Sequence, residues 1–149
     1  MITNERQFRI SKAQLEKLRS SAAAFNIHEA AKRSSSSVLA HAELAALQSQ
    51  IDELAEQVSD YEALQSGAVS ILKAQGLSEL PKILIKSRIA RRLSQRDLAE
   101  MLGLKEQQIQ RYESEEYATA NLRRLAEVAE ALNLNISEVA ELSQIHVSR

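Results

Sequence analysis

The sequence predicts an all-α protein, and three observations carry that expectation. Ala, Leu, Glu, Gln, Lys and Arg, the strong helix formers, dominate its 149 residues. Only three glycines and one proline interrupt them. Apolar residues recur at steps of three and four along much of the chain, the period of a helix with one buried face. The expected architecture has two parts. Residues 1–77 form a helical hairpin or coiled coil for dimerisation or partner binding, and residues 78–149 form a bundle of four or five short helices.

Ser11, with Gln14 three residues on, predicts the start of the first helix by a capping box. Leu15, Leu18, Ala22 and Phe25 then give it one apolar stripe. Residues 26–37 lose the pattern, and the run of serines at 34–37 reads as a connector or frayed helix start. Residues 38–64 are the most regular part of this half. Leu44, Ile51 and Val58 alternate with Leu47, Leu54 and Tyr61 at a 3.5-residue period. So narrow a stripe must be covered by another helix. The partner is either the same segment of a second chain, giving a homodimer, or the helix at residues 11–25 folding back. Gly67 ends this helix, a short helix is expected at residues 68–75, and Gly76 and Pro81 mark a joint before the second half.

Composition excludes several function classes. With no cysteine there can be neither a disulfide nor a thiolate nucleophile or metal site. His28, His41 and His146 lack metal-ligand spacing, and no phosphate loop, nucleophile elbow or carboxylate constellation appears. Neither cofactor, metal nor catalysis is expected. No apolar run is long enough for a membrane span and the first residues are no signal peptide, so a cytoplasmic protein is expected. Net charge is −1, yet Lys82, Lys86, Arg88, Arg91, Arg92 and Arg96 lie together without an acid among them. Attraction to phosphate is local, so this patch matters more than the sum.

The second half carries the functional signal. Ile83, Ile85, Ile89 and Leu93 supply the apolar side of one helix. Ser94 caps the next, through Asp97, Leu98, Ala99, Met101 and Leu102; Gly103 turns the chain, and Glu106 to Glu113 continue as another. Two helices joined by a short turn containing Gly are a helix-turn-helix. Ala99 is small where the helices cross, and Gly103 can take a positive φ. Glu106, Gln107, Gln108, Gln110 and Arg111 remain outward, a set rich in groups that read base edges. Arg92 and Arg96 are the basic residues best placed for phosphate. A last helix, capped by Ser137 and running through Val139, Leu142 and Ile145, is expected to close the core.

The run from Ser94 to Leu104, continuing through Ile109, Gln110, Arg111, Tyr112 and Glu113, resembles the Cro and phage-repressor (XRE) helix-turn-helix family. Leu122, Leu125, Ala126, Ala129 and Leu132 resemble its next helix. The resemblance spans residues 81–142 and implies a lambda-repressor-like bundle that docks on double-stranded operator DNA as a dimer. It implies base reading by Glu106, Gln107, Gln108 and Gln110, with Arg111 on a base or the backbone. It implies backbone contact by Gln95, which also braces the recognition helix, and by Lys105, Tyr117, Thr119 and Asn121. Lys105, in place of a Ser or Thr cap, and the acids Glu115 and Glu116 depart from the family's pattern. The expected function is a sequence-specific transcriptional repressor on an inverted-repeat operator. The alternative is an antitoxin whose N-terminal helices hold a toxin protein while its C-terminal domain autoregulates the operon.

Overall fold

The computed structural model describes residues 1–145; His146 lies outside the described residues. Among these the regular structure is helical: seven α-helices and one short 3-10 turn. The N-terminal half holds α1 (Glu5–Ala23), α2 (Ile27–Ser34) and α3 (Ser37–Gln65). The C-terminal half holds α4 (Leu80–Ala90), α5 (Gln95–Leu102), α6 (Glu106–Ser114) and α7 (Leu122–Ala131).

α1 begins about two turns before the expected Ser11 cap. Asn4 caps it, its Oδ1 accepting from the Gln7 backbone N–H at 2.8 Å, while Gln7 Oε1 accepts from the Thr3 N–H at 2.9 Å. That reciprocal pair satisfies two donors that a helix start leaves orphaned. Ile2, just outside the cap, is buried and holds the segment down.

α1 then folds back along α3. Phe8 stacks on Tyr61 at 4.8 Å between ring centroids, and Lys12 Nζ lies 2.8 Å from Glu62 Oε1. The start of α1 therefore sits beside the end of α3, an antiparallel hairpin. Of the two partners expected for the 3.5-residue stripe, the helix of the same chain is the one that covers it here. Ile51, Val58 and Tyr61 are buried inside this chain, and Leu47 and Leu54 pack partly against the same cluster. Leu44 stays partly exposed.

The segment expected as a connector contains α2. Asn26 Oδ1 accepts from the His28 and Glu29 N–H groups, which fixes its start. Ala30 and Ala40 are both fully buried, and such small side chains let α2 lie close against α3. The serine run makes the corner between them. Ser35 takes a left-handed conformation (φ 55°), and Ser36 caps α3 by accepting from the Leu39 N–H.

Two expected helices do not form. Residues 68–75 are not helical: Gly67 (φ +79°) breaks α3, and only Val69 and Leu72 reach the core while Ile71 faces water. So short a segment needs a buried face to hold a helix. Residues 135–145 also lack helix, with Val139, Leu142 and Ile145 exposed. Ile85 and Ile89 of α4, Val128 of α7 and Leu132 just after it are the residues buried in the core on this side.

The buried cluster does not stop at the linker. Leu15, Ile51, Val58, Tyr61 and Leu64 join Leu84, Ile85, Ile89, Leu98 and Ile109 in one continuous body, and α3 packs directly on α4.

Candidate nucleic-acid interface

α5 and α6 are the two helices of the expected unit. Ser94 caps α5 with a full box: its Oγ accepts from the Asp97 N–H at 3.0 Å, and Asp97 Oδ2 accepts from the Ser94 N–H at 2.7 Å. The Ser94 hydroxyl also donates to Asp97 Oδ2 at 2.7 Å, and this bond first, with the one from the Ser94 N–H, holds the Asp97 carboxyl below its ordinary range. Gly103 ends α5 in the left-handed region (φ 67°), and the Leu104 N–H returns to the Ala99 carbonyl at 2.8 Å. Ala99 and Leu98 are buried where α5 meets its neighbours.

Lys105 has no side-chain acceptor and cannot cap α6. Gln108 supplies the bond from the other direction, its Oε1 accepting from the Lys105 N–H at 3.0 Å. Gln110 Nε2 donates to Glu106 Oε1 at 3.1 Å, and Arg111 Nε to Glu115 Oε1 at 3.3 Å. Gln107 makes no hydrogen bond through its side chain among the described residues. All five outward residues, Glu106, Gln107, Gln108, Gln110 and Arg111, are solvent-exposed, so nothing among the described residues covers this face of α6.

Beneath that face lies a buried charged cluster that the sequence did not disclose. Arg88 is 2% exposed and Glu113 3%. Arg88 Nε donates to Glu113 Oε1 at 2.6 Å and its Nη2 to Oε2 at 2.8 Å, a two-pronged pair. Nη1 donates to the Leu93 carbonyl at 2.7 Å and Nη2 also to the Thr3 carbonyl. Gln95 Nε2 completes the set by donating to Glu113 Oε2 at 2.7 Å. One guanidinium thus ties α4, the α4–α5 turn, the end of α6 and the N-terminal segment together. Every charge in the cluster is paired, as burial demands. Arg88 is therefore lost to phosphate. Gln95, expected at the DNA backbone, has its amide committed to Glu113 and fulfils only the bracing part of its expected role.

Other expected backbone contacts divide sharply. Tyr117 is corrected: it is 3% exposed, and its hydroxyl is buried with no partner among the described residues. Burial pushes its pKa up, and the ring stacks on Tyr112 at 5.5 Å. It anchors the loop after α6 and cannot donate to a phosphate. Thr119 Oγ1 donates to Glu115 Oε2 at 2.9 Å, and Asn121 caps α7 by accepting from the Arg124 N–H at 2.9 Å. Arg96 pairs with Glu100 at 3.1 Å. Arg92, in a left-handed conformation (φ 56°), donates through Nε to the Gln65 carbonyl at the end of α3.

A broad groove gathers part of the expected set. Arg92, Gln95, Glu106, Gln107, Gln110 and Arg111 line it. Gln108, Arg96, Lys105, Tyr117, Thr119 and Asn121 lie outside it. Its opposite wall was not foreseen: residues 3–10, including Arg6 and Arg9 of α1. No pattern in the sequence links those two arginines to α6, because the link runs through Ile2 in the core and the Thr3 carbonyl on Arg88.

A helix-turn-helix pair on a four-helix body, with a polar recognition face open to solvent, defines a DNA-binding transcription regulator. Residues 84–139 match the family model described as Helix-turn-helix, so the C-terminal half of the chain carries a domain of the XRE type. That family is one of DNA-binding regulators and not of enzymes. Comparison with curated proteins and with solved structures finds no match to this chain. No helix among the described residues is long and apolar enough to cross a membrane.

Proposed function

We propose that the protein is a sequence-specific transcriptional repressor, acting as a dimer on an inverted-repeat operator. The observation that carries this reading is the open face of α6, where Glu106, Gln107, Gln108, Gln110 and Arg111 are exposed above a fixed, buried base. In the major groove such a helix reads base edges, while basic residues on phosphate supply most of the affinity. Gln107 is the leading base reader, because its amide is uncommitted. Gln108 spends its carbonyl oxygen on Lys105 and offers only its NH2 group. Dimer half-sites would stand about 34 Å apart, one helical turn.

Selection of bound sequences from a random duplex pool tests the reading, followed by titration of the selected site. Gln107→Ala should relax preference at one position per half-site by about 1–3 kcal/mol, the worth of a bidentate base contact. Unaltered preference in Gln107→Ala, Gln108→Ala and Gln110→Ala alike would defeat it.

A second reading draws on a different surface. At the start of α3, Val38 is 75% exposed and Leu39 57%, apolar groups left uncovered among the described residues. An antitoxin would hold its toxin protein with such N-terminal helices while the C-terminal domain represses the shared operon. A small partner co-purifying with the chain, and released by Val38→Glu/Leu39→Glu, favours this reading; self-association abolished by the same change favours the homodimer.

A further inference from the structure

We propose that the first turns of α1 belong to the DNA interface, with Arg6 and Arg9 holding the phosphate strand that borders the base-reading helix. The inference rests on α6 entering the major groove. Arg6 and Arg9 stand three residues apart, hence on one face of α1. Both line the groove whose far wall is Glu106, Gln107, Gln110 and Arg111. Both are exposed, and among the described residues no carboxylate lies within ion-pair distance of either. Cations that the fold leaves unpaired beside a polar reading face suit a polyanion. Apart from the buried Arg88–Glu113 pair, the groove's acids, Glu5, Glu106 and Glu116, are outnumbered by four guanidinium groups, those of Arg6, Arg9, Arg92 and Arg111.

What makes this a built surface is its anchorage. Ile2 is buried in the common core, and Arg88 binds the Thr3 carbonyl with the same guanidinium that grips Glu113 at the end of α6. The segment before α1 and the recognition helix thus share one fastening point, the Arg88 guanidinium. Asn4 then starts α1 immediately, so Arg6 and Arg9 emerge on rigid helix. Cations held this way lose little freedom on meeting phosphate, which favours binding over the same charges on a loose tail.

The test compares the full chain with Arg6→Gln/Arg9→Gln and with a control on the same helix, Lys17→Gln/Arg19→Gln, binding one selected duplex and one scrambled duplex over a range of salt. Loss of two phosphate contacts should reduce the slope of log K against log salt by about 1.8, from about 0.9 per contact. Affinity for both duplexes should fall on the order of tenfold or more at 0.1 M salt, with their ratio unchanged. The control should bind as the parent does. Equal slopes for parent and Arg6→Gln/Arg9→Gln would overturn the proposal, as would tighter binding by that variant, which would make α1 an obstruction. A parent chain indifferent to both duplexes would instead remove the DNA reading itself, a result distinguishable from either. Both arginines are exposed, so circular dichroism of the variant should match the parent's.

Discussion

Replacing Arg88 by Met offers the sharpest test of how the recognition helix is held. The change leaves the Glu113 carboxylate at 3% exposure with only Gln95 Nε2 as a partner, and strips donors from the Leu93 and Thr3 carbonyls. Breaking a buried pair from one side costs about 3–5 kcal/mol, because the surviving charge is stranded away from water. Small domains are stable by about 5–15 kcal/mol, so much of the margin would go. At roughly 2–4 °C per kcal/mol for a chain of this size, the melting temperature should drop by about 6–20 °C. Thermal unfolding followed by circular dichroism measures that drop and urea denaturation the free-energy loss, with Glu113→Met and the double variant closing a cycle. The double variant should recover at least about 2 kcal/mol relative to the sum of the single changes, since removing both charges abolishes the stranded one. Strictly additive losses, or a loss below about 1 kcal/mol for Arg88→Met, would refute a dry, mutually dependent pair.

Three further outcomes follow from single positions. Gly103→Ala should cost about 1–2 kcal/mol in urea, the strain of a left-handed residue with a Cβ; an added Cβ would meet no atom within 4 Å, so a much larger loss would contradict the open space there. Tyr117→Phe should raise stability by about 1 kcal/mol, because it removes a buried hydroxyl without a partner while keeping the stack on Tyr112; a loss of similar size would reveal a partner. The Asp97 carboxyl, held below its ordinary value by Ser94, contributes stability that is fully present above about pH 4 and lost as pH falls through the lowered folded value. Acid should therefore erode the urea midpoint of the parent more than that of Asp97→Asn, and equal erosion would dispose of the cap's role.

How much of this was legible in the sequence depends on how local each cause is. α3, α5 and α6 were visible because their signals sit within one or two turns: the 3.5-residue stripe, the Ser94 box, the Gly103 turn. α2 escaped because it packs on α3 through buried alanines, Ala30 on one helix and Ala40 on the other, and alanines carry little periodic signal. The absent helix at residues 137–145 failed in the opposite sense: spacing promised an apolar face, but Val139, Leu142 and Ile145 remain exposed with no surface to bury it. Among site residues, the outward face of α6 followed from periodicity alone. Arg88 did not, since it lies in a run of basic residues that reads as a phosphate patch, and its fate is decided by Glu113 and by a carbonyl 85 residues away. Tyr117 was misread for a related reason, a loop position giving no hint that the ring turns inward.

The geometry of α3 has a mechanical side. Its 29 residues make a rod of about 44 Å at 1.5 Å per residue, welded at one end to the DNA-reading head through Tyr61 and Leu64 and carrying Val38 and Leu39 uncovered near the other. A tilt of about 10° at the head sweeps the tip through roughly 8 Å over that length. Anything bound at the tip would therefore act on the head through a long arm, where a small angle at one end is a large displacement at the other.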